Sequence, residues 1–455
     1  MRVVRRVVGE DRSFAAGLAL AAAYVLLRTA GAPEPFILGW TALAVGGALL
    51  SPLIGLIVLA AIGPFTEALT ADGLVTPAPI VVAATAIGAA LRYVISGQIR
   101  ATPLPIALAL ALGVGTLLGV AVSAASFGSA AGIEALQRWV AGIGAGLGVL
   151  LAAWWVGRHG DIRPLAVAAL SITAAASISL VQYLAPAVLA ASPLAWLSRP
   201  SADTTRLAGI IPGPNSAAAV FLVGLALVGN AAVLIRRPQI RVASLIAAAL
   251  LLLAVAFTFS RSALLALFVM LLIGVWQFPR RAALPLIGLL VATALVVLVG
   301  ITALSEGFGS LPERGGGVPL RTEAWSITLR MLADSPIWGH GFRSFEWLHR
   351  QYGTRLDAPH NEWLRFFAEE GVVVGLVALA FAASALLALL RAPGWPSSAG
   401  AAACGALFVM ATFNNPLLYI QVNVPAFLVI GMALGYADRG PPDGAPPDRT
   451  PREMN

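Results

Sequence analysis

The sequence predicts an all-α fold, a polytopic membrane bundle of about 12–14 transmembrane helices with one long loop outside the membrane. Composition is the first reason: 59% of the residues are hydrophobic and only 11% are charged, too little polar surface for a soluble globule of 455 residues. The second is that apolar runs of about 20 residues, long enough to span a hydrocarbon core, recur along the chain. The third is a single long polar segment, residues 304–370, that separates two groups of these runs.

The predicted spans divide the chain into four parts. Transmembrane helices with short loops occupy residues 1–303, the long loop 304–370, the C-terminal transmembrane helices 371–437, and a disordered cytoplasmic tail 438–455. The second and third spans are short and meet at Ser51-Pro52, so they form either two crossings or one tight hairpin. The spans are expected near residues 14–30, 36–50, 52–66, 78–96, 103–122, 138–157, 164–186, 214–235, 242–259, 262–277, 282–302, 371–391, 397–413 and 418–436.

Arginine placement predicts the orientation of the bundle. Short cytoplasmic loops of membrane proteins are enriched in lysine and arginine. A cytoplasmic N-terminus puts most short basic loops on one side, including those at 158–163, 236–241 and 280–281. The basic N-terminal segment is then a retained signal anchor rather than a cleaved leader, because further spans follow it. The loop 304–370 accordingly faces away from the cytoplasm.

Arginines on the side predicted to face away from the cytoplasm run against this bias, so their presence there needs an explanation other than membrane orientation. Arg206 lies in a stretch broken by proline and glycine, and Arg261 lies between two apolar runs with almost no loop between them. An arginine at a membrane boundary either snorkels to the headgroups or meets an anion or water, and both explanations stay open. The planar guanidinium fork matches phosphate oxygens, so convergence of Arg206, Arg261 and Arg321 would suit a diphosphate.

Polar side chains next to these arginines could assist them. Ser260 and Ser262 flank Arg261 and offer hydroxyl groups near a helix start, which itself favours an anion. Asn215 follows Pro214 at the start of an apolar run, where it is either a helix N-cap or an amide donor to a ligand.

The long loop contains two predicted helices. Residues 320–333 space Trp325, Ile327, Leu329 and Leu332 as an amphipathic helix that should lie on the membrane surface. A glycine turn at 339–342 follows, in which His340 is a ligand-binding residue or merely a surface turn residue.

The second helix carries the candidate base. Its start is predicted at Asp357 or Pro359, so that His360 and Asn361 lie in the first turn. The positive end of a helix disfavours imidazolium, which would keep His360 neutral and able to accept a proton as a general base. A capping or interfacial role is the alternative for this pair. Glu370, just before the next span, either pairs with an arginine of the site or faces solvent.

Several function classes lose support because their motifs are missing. The sequence has no HExxH, no carboxylate-rich DxD and only one cysteine, Cys404, so neither a metal site nor a disulfide framework is expected. It has no G-x-S-x-G elbow, Walker loop or dinucleotide fingerprint, which disfavours hydrolytic, ATP-driven and redox chemistry. The basic residues are spread between spans rather than clustered, which disfavours nucleic-acid binding.

Four segments in order, SRSALLAL at 260–267, RTEAW at 321–325, GHGFRSF at 339–345 and HNEWLRFFAEEG at 360–371, resemble the O-antigen ligase and polymerase superfamily. The resemblance implies a glycosyltransferase of the bacterial cytoplasmic (inner) membrane whose active site lies on the extracytoplasmic face. It implies transfer of a glycan from a polyprenyl diphosphate carrier to an acceptor glycan or glycolipid, with inversion and without a metal or other cofactor.

The resemblance also implies residue roles. Arg261 and Arg206 would bind the carrier diphosphate, His360 would take the proton of the acceptor hydroxyl, and Arg321 would help with charge. The segment 206–215 departs from the family pattern, because it lacks the run that precedes the Pro-Asn pair in the family. Two other classes stay open. A transporter for a small anion such as bicarbonate should place ionisable groups near mid-span, and a scaffold subunit should tolerate loss of His360.

Overall fold

The computed structural model describes residues 2–66, 77–96, 102–192, 206–278 and 318–439. Every regular element in these residues is helical, and nine helices are long and apolar enough to cross a membrane. Three shorter apolar helices accompany them among the described residues. The predicted class, a polytopic all-α membrane bundle, is confirmed. The predicted span 282–302, the start of the long loop and most of the tail 438–455 lie outside the described residues.

The helices are numbered in chain order. Most begin at a proline in their first turn, where the missing N–H costs nothing. They are α1 Arg2–Thr29, α2 Glu34–Leu50, α3 Pro52–Ile62, α4 Pro77–Ile95, α5 Leu104–Phe127, α6 Ser129–Trp139, α7 Ala145–Arg158, α8 Arg163–Leu184, α9 Pro186–Ala190, α10 Pro214–Leu234, α11 Pro238–Phe257, α12 Arg261–Gln277, α13 Val318–Asp334, α14 Ser344–Leu348, α15 Glu362–Arg391, α16 Trp395–Phe413 and α17 Ile420–Asp438.

Several predicted spans have different limits in the structure: the first, predicted at 14–30, is the longer helix Arg2–Thr29. The span predicted at 138–157 is the end of a longer helical run, in which the π-helical turn Val140–Gly144 joins α6 to α7. The span predicted at 371–391 begins nine residues earlier, at Glu362, and contains non-helical backbone at Gly371. The structure therefore has no boundary between loop and span at 370, because the amphipathic end of the loop continues into the apolar helix through a break.

The centre of the bundle is the close contact between α7 and α17. A Cβ at Gly157 would lie 2.3 Å from the Met432 carbonyl oxygen, and one at Gly435 would lie 2.1 Å from that of Trp154. Such contacts bring two helix backbones together, which is how small residues pack membrane helices without a hydrophobic driving force. Around this pair, α16 packs along α12 and α10, and α15 packs along α5 and α16.

The long loop folds against the bundle through a small apolar core of its own. Ala324, Ile327 and Met331 of α13 are at most 1% exposed and pack against α14 and Ala368 of α15. The predicted helix 320–333 is thus present as α13, but the predicted apolar face is wrong at Leu329, which is 52% exposed. The buried face follows the spacing i, i+3, i+7 because α15, and not the pattern of large apolar residues alone, selects which side is covered.

Candidate active site

A closed ring of polar side chains joins α10, α12 and α16 at one end of the bundle. Asn215 Nδ2 donates to Asn414 Oδ1 at 2.7 Å, and Asn414 Nδ2 donates to Ser262 Oγ at 2.9 Å. The hydroxyls of Ser262 and Ser260 are 3.1 Å apart, and Ser260 donates to Asn215 Oδ1 at 2.8 Å. Buried polar groups need such partners, so the ring fixes three helix ends relative to one another.

Arg206 is attached to this ring. Its Nε donates to the Thr258 carbonyl at 2.9 Å, and one terminal nitrogen donates to Asn215 Oδ1 at 3.4 Å. Asn215 is the second residue of α10, and Gly213 holds the N-cap position, so the predicted capping role of Asn215 is wrong. The proline at 214 takes the first helical position, which places the Asn215 side chain toward α12 and α16 instead.

The turn that carries Arg261 is shaped by a cap and a strained residue. Ser260 is the N-cap of α12, and its Oγ accepts from the Ala263 N–H at 3.4 Å. Phe259, just before it, has a positive φ of 46°. The sharp turn leaves Arg261 exposed at the first helical position, beside a hydroxyl ring that is buried.

Arg321 lies in the first turns of α13 and is half-buried. Burial lowers its pKa, and the charges of Arg261 and Arg206 lower that pKa further. Its Nε is buried without a hydrogen-bond partner among the residues that the structure describes. The charges of Arg261 and Arg206 both act on Arg321, so the fold places Arg321 near these two arginines.

His360 lies beside this arginine group. Its pKa is lowered from the ordinary 6.5, first by burial and then by the charge of Arg321, while Asp357 opposes the shift. The prediction that His360 lies in the first helical turn is wrong, because Asn361 is the N-cap of α15 and its Oδ1 accepts from the Leu364 N–H at 3.0 Å. His360 precedes the cap with a left-handed φ of 51°. Its neutrality results from burial and a neighbouring cation rather than from a position inside the helix.

Two of the three strained non-glycine residues in the described part of the chain adjoin this site. Three non-glycine residues have a positive φ: Phe259 beside Ser260, His360 itself, and Arg343 in the loop that packs on α15. Such conformations cost on the order of 1–3 kcal/mol each and persist where the surrounding structure enforces them, often at functional sites.

Two predicted site residues lie elsewhere. The His340 ring is within 2.9 Å of the Met331 carbonyl and meets Tyr352 edge-on, so it ties the glycine turn to α13. Glu370 is 4% exposed and faces α5, where a Cβ on Gly119 would lie 1.8 Å from its Oε2. Arg206, Asn215, Ser260, Arg261, Arg321 and His360 come together, and His340 and Glu370 do not join them.

Sequence reasoning missed two sets of residues. Asn414 closes the polar ring, and its signal is the Asn-Asn-Pro sequence at the end of an apolar run. Glu362, Arg365 and Glu369 form a buried ion group, in which Arg365 pairs with Glu362 and, at 2.9 Å, with Glu369. Their signal is the density of charge in a segment that leads directly into an apolar helix.

Comparison with known proteins matches one region of the chain. Residues 246–380 match the family model described as O-Antigen ligase. The match begins within α11 and ends within α15, so it contains Arg261, Arg321 and His360, whereas Arg206 and Asn215 precede it. No curated protein matches the chain. The segment 246–380 of this multi-pass membrane protein is therefore similar to the O-antigen ligase family, as its sequence motifs predicted.

Proposed function

We propose that this protein transfers a glycan from a polyprenyl diphosphate carrier to a hydroxyl of an acceptor glycan or glycolipid, with inversion at the anomeric carbon and without a metal. The family supports glycosyltransferase chemistry of the O-antigen ligase and polymerase type. The observation that carries the finer proposal is the placement of Arg321 near Arg206, Arg261 and His360.

The arginine group suits a dianionic leaving group. Like charges that lie close together raise the free energy of the folded protein, and an anion bound between them removes that repulsion. Neither Arg261 nor Arg321 forms an ion pair with another described residue. Guanidinium groups bind phosphate oxygens with two parallel hydrogen bonds, so the group could hold a diphosphate and stabilise the charge that develops as it leaves.

His360 is the proposed general base. Its lowered pKa keeps the imidazole neutral near pH 7, so it can accept a proton. In the proposed step, the acceptor hydroxyl oxygen forms a bond to the anomeric carbon while its proton passes to His360. The bond from that carbon to the diphosphate oxygen breaks, and the carrier diphosphate departs with both electrons of that bond, held by the arginines.

The positions of the other arginines support an extracytoplasmic site. The proposed site is built from the N-terminal ends of α10, α12 and α15 and the C-terminal end of α16. Arg391 ends α15 at the end opposite His360. Arg158 ends α7 and pairs with Asp438 at the end of α17, and Arg163 begins α8 shortly after it in the chain. The positive-inside rule assigns that opposite side to the cytoplasm.

A transporter for a small anion is the alternative. Broken helices and buried charges are typical of transporters, and α15 has both, at Gly371 and Arg365. Backbone of the long loop fills this break, however, and carboxylates neutralise Arg365, which favours a structural role. Flux of bicarbonate into proteoliposomes with the purified protein distinguishes the two, since the glycosyltransferase gives none above empty vesicles.

The test is complementation of surface-glycan synthesis with His360→Ala and Arg261→Ala in a strain that lacks the protein. Each variant should accumulate normally in the membrane and lose glycan transfer. Arg350→Ala, which removes an exposed loop arginine, is the matched control and should complement. Wild-type transfer by both site variants at normal protein levels would rule the assignment out.

A further inference from the structure

The break in α15 at Gly371 is closed by another part of the chain. Gly371 has a φ of 81°, which interrupts the hydrogen bonds between successive turns of the helix. The Ala368 carbonyl accepts from the His340 N–H at 3.2 Å, and the Glu369 carbonyl accepts from the Gly341 N–H at 2.7 Å. On the other side, the Val372 N–H donates to the Pro336 carbonyl at 2.8 Å. The glycine turn of the long loop thus replaces the helix's own hydrogen bonds.

The carboxylate of Glu369 holds the rest of that turn. Its Oε2 accepts from the Arg343 N–H at 2.9 Å, and its Oε1 accepts from the Phe345 N–H at 3.2 Å. Glu369 is only 1% exposed, so these are hydrogen bonds of a buried carboxylate to backbone donors. One of the donors belongs to a residue with a left-handed φ of 71°, which needs such support to persist.

The same carboxylate is linked to the start of α15. Glu369 Oε2 accepts from Arg365 at 2.9 Å, and the other terminal nitrogen of Arg365 pairs with Glu362. The Arg365 N–H donates to the Asn361 carbonyl at 3.0 Å in the first helical turn. Asn361 is the residue directly after His360, so a continuous set of buried contacts runs from the loop turn to the strained backbone of the proposed base.

We propose that Glu369 is a positioning residue, whose carboxylate couples the loop turn 341–345 to the first turns of α15 and so sets the orientation of His360. The proposal rests on the proposed function, in which His360 accepts a proton. Glu369 touches neither the arginine group nor His360, so it acts only through Arg365, Glu362 and the loop backbone. When the base is misplaced, the rate of glycan transfer falls, whereas the affinity of the arginine group for the donor is unchanged.

The test is Glu369→Gln in the full-length protein, assayed in detergent with a purified polyprenyl diphosphate-linked glycan. An amide accepts fewer hydrogen bonds and carries no charge for Arg365, so kcat should fall roughly 10–100-fold. KM for the donor should stay within about twofold, because the arginine group is unchanged. Trypsin should cleave the loop faster at the exposed Arg350 and Arg355.

Arg343→Gly is the matched control. Glycine keeps the N–H that Glu369 binds and adopts the left-handed φ without strain, while the ion pairs of Arg343 with Glu134 and Glu346 are removed. This variant should keep wild-type kcat and trypsin resistance. An equal loss of kcat in Arg343→Gly would overturn the proposal, because the ion pairs rather than the carboxylate of Glu369 would then hold the turn.

Other outcomes are equally decisive. Unchanged kcat in Glu369→Gln overturns the proposal. A fall in kcat together with a raised KM for the donor and a lower thermal stability also overturns it, because that combination indicates a purely structural role. If Glu369→Gln does not accumulate, Glu362→Gln replaces it: both loop contacts remain, and kcat must fall with trypsin resistance unchanged. Failure of the proposed function is distinct, since His360→Ala would then transfer glycan like the wild type.

Discussion

The protein contains arginines in two contrasting environments, one in which carboxylates neutralise the cation and one in which cations lie near other cations. Arg365 is completely buried, pairs with Glu362 and Glu369, and lies over the rings of Phe342 and Phe366. Arg261 at the start of α12 and Arg321 in α13 have no carboxylate partner among the described residues, and the charge of Arg261 lowers the pKa of Arg321. In the first environment carboxylates of the fold neutralise the cation. In the second no carboxylate of the described residues does so, and a bound anion would neutralise the cations.

This difference separates structural from functional charge. Loss of a cation that the fold neutralises leaves its buried carboxylate partners unpaired, so it should lower the stability of the protein. A cation that the fold leaves among like charges is destabilising in the folded state, so its loss should cost activity and not stability. Four predictions, ordered from the largest expected effect to the smallest, test this contrast.

Replacing Arg365 with methionine should give the largest loss of stability. Glu362 and Glu369 would remain buried without their cation, and breaking a buried pair in this way costs about 3–5 kcal/mol of unfolding free energy. Unfolding of the purified protein in detergent measures the change. Arg350→Met, at an exposed loop position, should leave the unfolding transition in place. A stable Arg365→Met protein would mean that the ion group is dispensable.

Replacing Arg321 with glutamine should lower activity without lowering stability. Loss of one preorganised cation should lower kcat for glycan transfer by about 10²–10³-fold. The unfolding transition should stay in place or move to higher temperature, since repulsion with Arg261 and Arg206 is removed. Arg330→Gln, further along the same helix and exposed, is the control and should transfer normally. A loss of stability in Arg321→Gln comparable to that in Arg365→Met would abolish the distinction between the two regions.

Replacing Gly371 with alanine tests the break that joins the two regions. A Cβ there would lie 2.0 Å from the Ile337 carbonyl oxygen, and alanine tolerates a φ of 81° poorly. The expected loss is at least about 1–3 kcal/mol of unfolding free energy, measured by unfolding in detergent. Gly229→Ala, in α10 with no atom within 4 Å of the added Cβ, should be neutral or slightly stabilising. Equal stability of the two variants would show that the break is not constrained.

The pH dependence of transfer should show the smallest effect. A base must be neutral, so the rate falls as pH drops through the pKa of His360, which burial and Arg321 lower. Removing the cation with Arg321→Gln should raise that pKa and move the acid limb of the pH–rate profile to higher pH, by about one unit or less. Asp357→Asn should move it to lower pH, because Asp357 raises the pKa. Shifts of the same sign in both variants would contradict the assignment of His360 as the base.

Much of this site could be predicted from residue types and their places between spans. Outward arginines at 206, 261 and 321 and a histidine beside a helix start are visible in the sequence, because charge is rare in an apolar chain and each exception requires a reason. Ser260 as a polar neighbour of Arg261 was equally visible. The family resemblance rests on four segments between residues 260 and 371, and the matched region 246–380 contains all of them.

What the sequence could not predict depends on contacts between segments distant in the chain. An N-cap was one of the two roles predicted for Asn215, yet its Nδ2 donates to Oδ1 of Asn414, 199 residues later in the chain. Glu370 was expected to pair with an arginine of the site or to face solvent, yet it is buried against α5, and its neighbour Glu369 makes the loop contacts. Two adjacent glutamates have the same local pattern, and only the packing around them distinguishes their roles.

The sequence by itself determined that the chain is a helical membrane protein with one long polar loop and cations at the ends of its spans, because hydrophobicity and charge act locally and are read residue by residue. The tertiary structure alone decided which of those cations are neutralised and which face one another. That choice follows from how the loop packs into the break of α15, which brings together groups that the linear order keeps far apart.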